Sequence, residues 1–221
     1  MSSVQQLFRA DGLAAMALAR EVRSFADRQE LQNRTVLDLG CGTMPYRAMF
    51  TSRGARYLGA DIDGSPDLLI GADGTVQVPD ASVDVVVSFQ VLEHVRSVAG
   101  YLATVRRVLR ASGRMFISTH GVWPYHPHPT DYWRWTRDGL RVILEDAGFT
   151  VQRMAALCGP AAWIPMFPLL AFKKALGPVA PLLAPANLLM NGVAWAADRL
   201  TPAGIRDTNA SIFAVEVSRD A

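Results

Sequence analysis

Thr35-Val36-Leu37-Asp38-Leu39-Gly40-Cys41-Gly42-Thr43-Met44-Pro45 is the stretch that settles the kind of fold. A β-branched apolar run closed by an acid, two alternating glycines and a proline reads as a buried strand that turns sharply into a helix. Glycines at 40 and 42 admit positive φ and leave room where a Cβ would obstruct a ligand. Pro45 suits a first helical turn, where its missing N–H is no loss. The pattern predicts free N–H groups and a positive dipole end facing an anionic or polar ligand. Two glycines also occur in plain turns, so the neighbouring sequence has to decide.

A dinucleotide site places a third glycine three residues after the second; Pro45 stands there, which disfavours NAD. Asp38, Gly40 and Gly42 instead resemble motif I of class I S-adenosylmethionine-dependent methyltransferases, with a departure at Met44, where that family usually has another glycine. The resemblance implies S-adenosylmethionine as cofactor, held around Asp38, Gly40, Cys41 and Gly42.

Working outward, Tyr46 to Arg53 predicts a helix ended by Gly54, and Arg56 to Asp63 a second strand with Asp61 at its carboxyl end. An acid about twenty residues beyond the glycines can accept both ribose hydroxyls, with Ile62 beside it. Leu68 to Gly74 reads as a third strand leading to Asp73 and Gly74. By the resemblance Asp73 accepts from the adenine amino group, although Asp-Gly is also a common turn pair. Val83-Asp84-Val85-Val86-Val87-Ser88-Phe89 has the continuous apolar character of a strand buried on both faces. With Leu92-Glu93-His94 it resembles a second block of the same family. That implies Ser88 and Phe89 along the cofactor, while Glu93 and His94 open the next helix.

Tyr101 to Leu109 is helical in spacing, and Arg114 to Thr119 is a fifth strand. The following loop runs from His120 through Pro124, His126, Pro127, His128, Pro129, Asp131, Tyr132, Trp133 and Arg134 to Trp135. It holds three of the chain's four histidines and three of its five tryptophans. Open α/β folds place their ligands past the carboxyl ends of strands, where this loop lies. Imidazoles next to a carboxylate can take a proton from a hydroxyl that attacks a methyl group, so His120, His126, His128 and Asp131 are the candidate catalytic residues. His-Pro-His with Asp131 also has metal donors, but no further carboxylate cluster is close in sequence and no metal is assigned. Thr136 suits the cap of a helix from Arg137 to Ala147. The aromatics and Arg134 either pack beneath that helix or grip a sugar. The loop further resembles a subset of these methyltransferases associated with glycan-related pathways.

Phe149 to Ala155 and Ser211 to Val217 read as the sixth and seventh strands, with residues 158–207 inserted between them. This insertion accounts for a composition of 50% hydrophobic and 19% charged residues in a 221-residue chain. Met154 to Phe172 and Ala175 to Ala197 carry no charge, but Pro160, Pro165, Pro168, Pro178, Pro181 and Pro185 interrupt them, so spanning helices are disfavoured. Short proline-bounded helices roofing a pocket, forming a homodimer face or touching a membrane through residues 158–200 are predicted instead. Residues 1–31 predict a helical cap.

A net charge of +2 and the absence of a basic run, with arginine supplying nearly all the basic residues and Lys173 and Lys174 the only lysines, give no phosphate-tracking surface, and no nucleic-acid partner is expected. Two separated cysteines, Cys41 and Cys158, fit a reducing cytoplasm. The expectation is one α/β domain, 1–221: a doubly wound, seven-stranded, mostly parallel Rossmann-like sheet with a hydrophobic helical insertion before the last strand. By the resemblance it O-methylates a sugar-related or natural-product hydroxyl. A lipid- or quinone-like acceptor at a membrane surface, and a non-catalytic cofactor-binding protein of the same fold, stay open.

Overall fold

The structure is a computed structural model that describes residues 8–72, 74–172 and 182–220. Helix α1 (Gly12–Asp27) precedes β1 (Thr35–Leu39), α2 (Arg47–Thr51), β2 (Arg56–Asp61), β3 (Leu68–Leu69) and β4 (Val83–Phe89). A 3-10 turn (Leu92–His94) leads to α3 (Val98–Val108), β5 (Leu109–His120), α4 (Arg137–Asp146) and β6 (Phe149–Leu157). The insertion folds as α5 (Pro160–Phe172), α6 (Ala184–Leu200) and α7 (Ala203–Thr208), and β7 (Ile212–Arg219) closes the sheet.

The seven strands lie in the order β3-β2-β1-β4-β5-β7-β6. Only β7 runs against its neighbours, pairing antiparallel with β5 and β6, and the other ladders are parallel. Alternate residues point to opposite faces. On β1, β4 and β5, Leu37, Val86 and Ile117 join the core under α3 and α4; Val36, Val87 and Phe116 join the core under α1 and the insertion. Two covered faces explain why four of the seven residues of β4 are valine.

The caps and ends follow local chemistry. Ser97 and Thr136 accept from the N–H groups of Gly100 and Gly139, which starts α3 and α4 where a hydroxyl is available. Glu93 and His94 therefore form a separate turn ahead of α3 instead of opening it. The third strand is only two residues long, continued by a bridge from Ile70 to Val76. The fifth is longer than its Arg114 to Thr119 pattern, because Leu109 already pairs with Val83.

In the insertion, α5 runs through Pro165 and Pro168 instead of breaking there. Its buried Ala162 and Met166, with Trp163, Phe167 and Leu170 packed beside them, anchor it on the second core despite the two missing N–H donors. Asn187 and Asn191 of α6 are buried and donate to the carbonyls of Phe8 and Arg9; the amide oxygen of Asn191 accepts from Leu13 N–H. The insertion and α1 thus cover the same face together. Among the described residues, no helix is long and apolar enough to cross a membrane. Lys173 and Lys174 lie outside the described residues.

Candidate functional site

The carboxyl ends of β1, β2, β4 and β5 meet along one edge of the sheet, and the residues singled out in the sequence gather there in two groups. The first surrounds the glycine turn. Gly40 takes φ +80°, and a Cβ on it would stand 2.4 Å from Val91 Cγ2, so the turn packs directly on the segment after β4. Gly42 takes φ +49° with open space beside it. Met44, in place of the usual glycine, still holds φ 53°, while its sulfur lies where a side chain on Gly59 would go.

The turn's amides are not free. Gly40 and Cys41 N–H groups donate to Ala60 O, and Gly42 N–H donates to Asp61 Oδ2 at 2.7 Å. Helix α2 starts at Arg47 and has five residues, which leaves little dipole. The predicted anion-binding helix end is therefore corrected: Ala60 O and Asp61 of β2 accept from the Gly40, Cys41 and Gly42 N–H groups. Asp61 also accepts from Ile62 N–H at 2.7 Å, and Ile62 beside it is exposed.

Asp38 is fully buried behind the turn. Tyr57 donates its hydroxyl to Oδ2, and Oδ1 has no partner. Burial pushes its carboxyl up to about 7 against the Tyr57 hydrogen bond, with the Asp61 charge adding to the rise. Cys41 is buried too, and burial with the charges of Asp38 and Asp61 pushes its thiol up to about 12. Ser88 is buried and accepts from Tyr101 at 2.8 Å, which leaves only its backbone for a ligand. Phe89 stands between Tyr46 and Phe116, with ring centroids 4.6 and 5.9 Å away. Gly74 (φ +79°) belongs to a turn closed on Gly71 O, and Asp73 lies outside the described residues.

The second group is built on the 3-10 turn and the end of β5. All four histidines of the chain come together there. Ring centroids are 4.8 Å apart for His120 and His126, 5.0 Å for His94 and His126, and 5.8 Å for His126 and His128. His120, the last residue of β5, is 3% exposed and stacked on Trp123 at 4.5 Å and 15°.

The carboxylate beside an imidazole is not the predicted one. Asp131 accepts from both terminal nitrogens of Arg134 at 2.6 and 2.5 Å and from His126 backbone N–H at 3.0 Å. His126 Nδ1 stands 3.7 Å away, beyond hydrogen-bond reach. Burial alone would raise Asp131, but Arg134 and the His126 amide bring its carboxyl down to about 2. The orienting role predicted for Asp131 is thereby corrected: it braces the loop backbone. Arg134 also donates to the carbonyls of Trp123, Pro124 and Trp133. With its donors committed inside the loop, it does not reach out for a sugar.

Glu93, fully buried, is the carboxylate within the cluster. Its Oε2 accepts from Thr119 Oγ at 2.8 Å, and its Oε1 lies 2.7 Å from His120 Nδ1 without the alignment of a hydrogen bond. Burial works to raise this carboxyl, but the His120 contact, backbone and Thr119 together hold it below the usual range. His126 is half-buried, and burial with the neighbouring His120 and His94 pushes its imidazole down to about 4, with Asp131 and Glu93 opposing. His94 donates Nδ1–H to Thr130 O at 2.6 Å. Sequence reading missed Glu93, although one acid inside the apolar run Val91-Leu92-Glu93-His94-Val95 was a signal that a buried charge had a task.

An open cleft of about 680 Å³ lies at the opposite end of β1 beside Leu31, Arg34 and Arg53, and none of the residues singled out above borders it.

Comparison with known proteins bears on both groups. Residues 10–154 match the profile of a family described as Methyltransferase domain. A probable S-adenosylmethionine-dependent methyltransferase of Mycolicibacterium smegmatis is 32% identical over 136 residues, 54% of this chain and 53% of the relative. The ubiquinone biosynthesis O-methyltransferase of Pseudomonas paraeruginosa is 28% identical over 109 residues, 42% of this chain and 47% of the relative. The chain spans about half the length of these curated relatives. Among solved structures, Burkholderia thailandensis 1,6-didemethyltoxoflavin-N1-methyltransferase superposes with a TM-score of 0.60 at 16% identity, covering 93% of this chain and 79% of that one.

Proposed function

The chain belongs to the methyltransferase-domain family, and from that premise we propose that it transfers a methyl group from S-adenosylmethionine to a hydroxyl of a polar small molecule, sugar-related or natural-product in character. When bound, this cofactor supplies an electrophilic methyl group on a positively charged sulfur. The residues of the glycine turn fit it. Asp61 keeps lone pairs for ribose hydroxyls after accepting from Gly42 and Ile62. Gly42 has open space on its Cβ side, and the unpartnered Asp38 Oδ1 sits behind the turn.

Methyl transfer is an in-line displacement, so the chain must hold the acceptor oxygen in line, take its proton and keep water away. The observation that supports the reading is the gathering of the four histidines around buried Glu93, two residues past the Val91 that touches Gly40. In this reading Glu93 turns His120 so that its far nitrogen accepts the hydroxyl proton, and the carboxylate then stabilises the imidazolium. Trp123 stacks on that ring and, with Phe167 of α5 5.9 Å away, limits water at its face. Tyr125, Tyr132 and Trp133 are exposed on the same loop and offer flat faces to a sugar ring.

The test is titration with S-adenosylhomocysteine followed by transfer of labelled methyl groups to a panel of hydroxylated sugars and phenols. Binding and transfer to a hydroxyl are expected; absence of binding overturns the proposal. A lipid- or quinone-like acceptor is the second reading. It is favoured by the exposed Ile164, Leu189, Val193 and Trp195 of the insertion and by the similarity to a relative named for ubiquinone biosynthesis. Co-sedimentation with liposomes, and transfer to quinols but not sugars, would move it ahead.

A further inference from the structure

Glu93, His94 and His126 each present one ligand atom, and these three atoms lie within 4.8 Å of one another. Three buried atoms at the same spot, Glu93 Oε1, His120 Nδ1 and His126 Nδ1, lack an aligned hydrogen-bond partner. Buried polar atoms are ordinarily satisfied, and several unmet ones facing each other are what a cation would neutralise together. His94 strengthens the case. Its Nδ1–H is committed to Thr130 O, which fixes the tautomer and leaves Nε2 as the lone-pair atom. A carbonyl behind the ring N–H is the usual support of a ligating imidazole. His126 is braced through its backbone by the Asp131 and Arg134 pair.

We propose that Glu93, His94 and His126 bind a divalent transition-metal ion. Two imidazoles and one carboxylate suit zinc and its neighbours, whereas magnesium and calcium prefer oxygen donors alone. Ligand bonds of roughly 2.1 Å place tetrahedral donors roughly 3.4 Å apart, so the three side chains close by about an ångström around the ion. Three protein ligands leave a position open. An acceptor hydroxyl entering it would be acidified by the ion, and its proton would pass to His120 as the oxygen attacks the methyl group. That role rests on the methyl-transfer reading; the binding of the ion does not. The cluster also departs from the sequence expectation of no metal, because Glu93 takes the place that Asp131 could not fill.

The test uses protein purified without a polyhistidine tag, stripped with a chelator and titrated with Co2+. One equivalent giving visible d–d absorption that Zn2+ abolishes is the expected result. His94→Ala and His126→Ala are each expected to weaken Co2+ binding at least about tenfold while circular dichroism stays native. Glu93→Gln should do the same, and the half-exposed His126 keeps the test valid if that buried variant fails to fold. No absorption and no zinc retained on equilibrium dialysis overturns the proposal, as does unchanged Co2+ affinity in His126→Ala. The same samples are titrated with S-adenosylhomocysteine. Metal binding without cofactor binding removes the methyl-transfer reading and leaves the ion site standing; cofactor binding without metal does the reverse.

Discussion

The two halves of the carboxyl edge are built on opposite terms. Around Gly40, Gly42 and Asp61 the backbone N–H groups already have acceptors within the fold. Around Glu93 and the histidines, three buried polar atoms face one another unmet. In the first half the backbone is settled before any ligand arrives, with only Asp38 Oδ1 behind it unpartnered among the residues described there, and the second carries groups whose partners must come from outside or from a proton. Pre-satisfied amides make a rigid wall, and unmet donors make a reactive one.

The hardest way to break this contrast is Glu93→Gln. It keeps the shape and removes the charge facing His120, and the rate of methyl transfer is expected to fall about 10²- to 10⁴-fold with native circular dichroism. A drop smaller than tenfold would show that Glu93 does not organise the reactive half. Asp61→Ala addresses the rigid half. S-adenosylhomocysteine affinity, read by calorimetry, is expected to fall roughly 10- to 100-fold with little change in turnover at saturating cofactor.

Gly40→Ala strikes the joint between the halves. At φ +80° with Val91 2.4 Å away, it is expected to lower stability by about 2 kcal/mol, measured by denaturant unfolding. A neutral result would mean that the two halves do not bear on each other. The gentlest probe is pH. Because the Asp38 carboxyl is raised to about 7 when folded, its neutral form favours the folded state. The stability it contributes is full below about pH 4 and is lost as pH rises toward 7. Asp38→Asn should flatten the unfolding midpoint across that window, and an unchanged slope would assign the effect elsewhere.

The same contrast marks what the sequence could tell. The sheet was readable because Val36-Leu37, Val85-Val86-Val87 and Met115-Phe116-Ile117 mark β1, β4 and β5, while Gly40 follows β1 and Asp61 ends β2. Fine bounds were not. Ser97 and Thr136 start helices by capping, while the Glu93 turn was mistaken for a helix start. The partner of the imidazoles was hidden for a plain reason. Asp131 lies five residues from His126, but Arg134 is three residues further on and claims it. Glu93 reaches His120 only because β4 and β5 pair in parallel, with Phe89 opposite Ser118, so that the segments after both strands fold over one spot. Nor could the glycine pattern say that Ala60 O and Asp61 would occupy the turn's amides. That depends on the register of β1 against β2.

Asn187 and Asn191 carry a further consequence. By holding the carbonyls of Phe8 and Arg9 and the amide of Leu13, they weld two segments far apart in the chain into one opening unit. Amide protons of α1 and α6 should therefore exchange with deuterium together, ahead of β1, β4 and β5. A protease nick near residue 10 should loosen the helix that begins at Ala184 as surely as a cut within it.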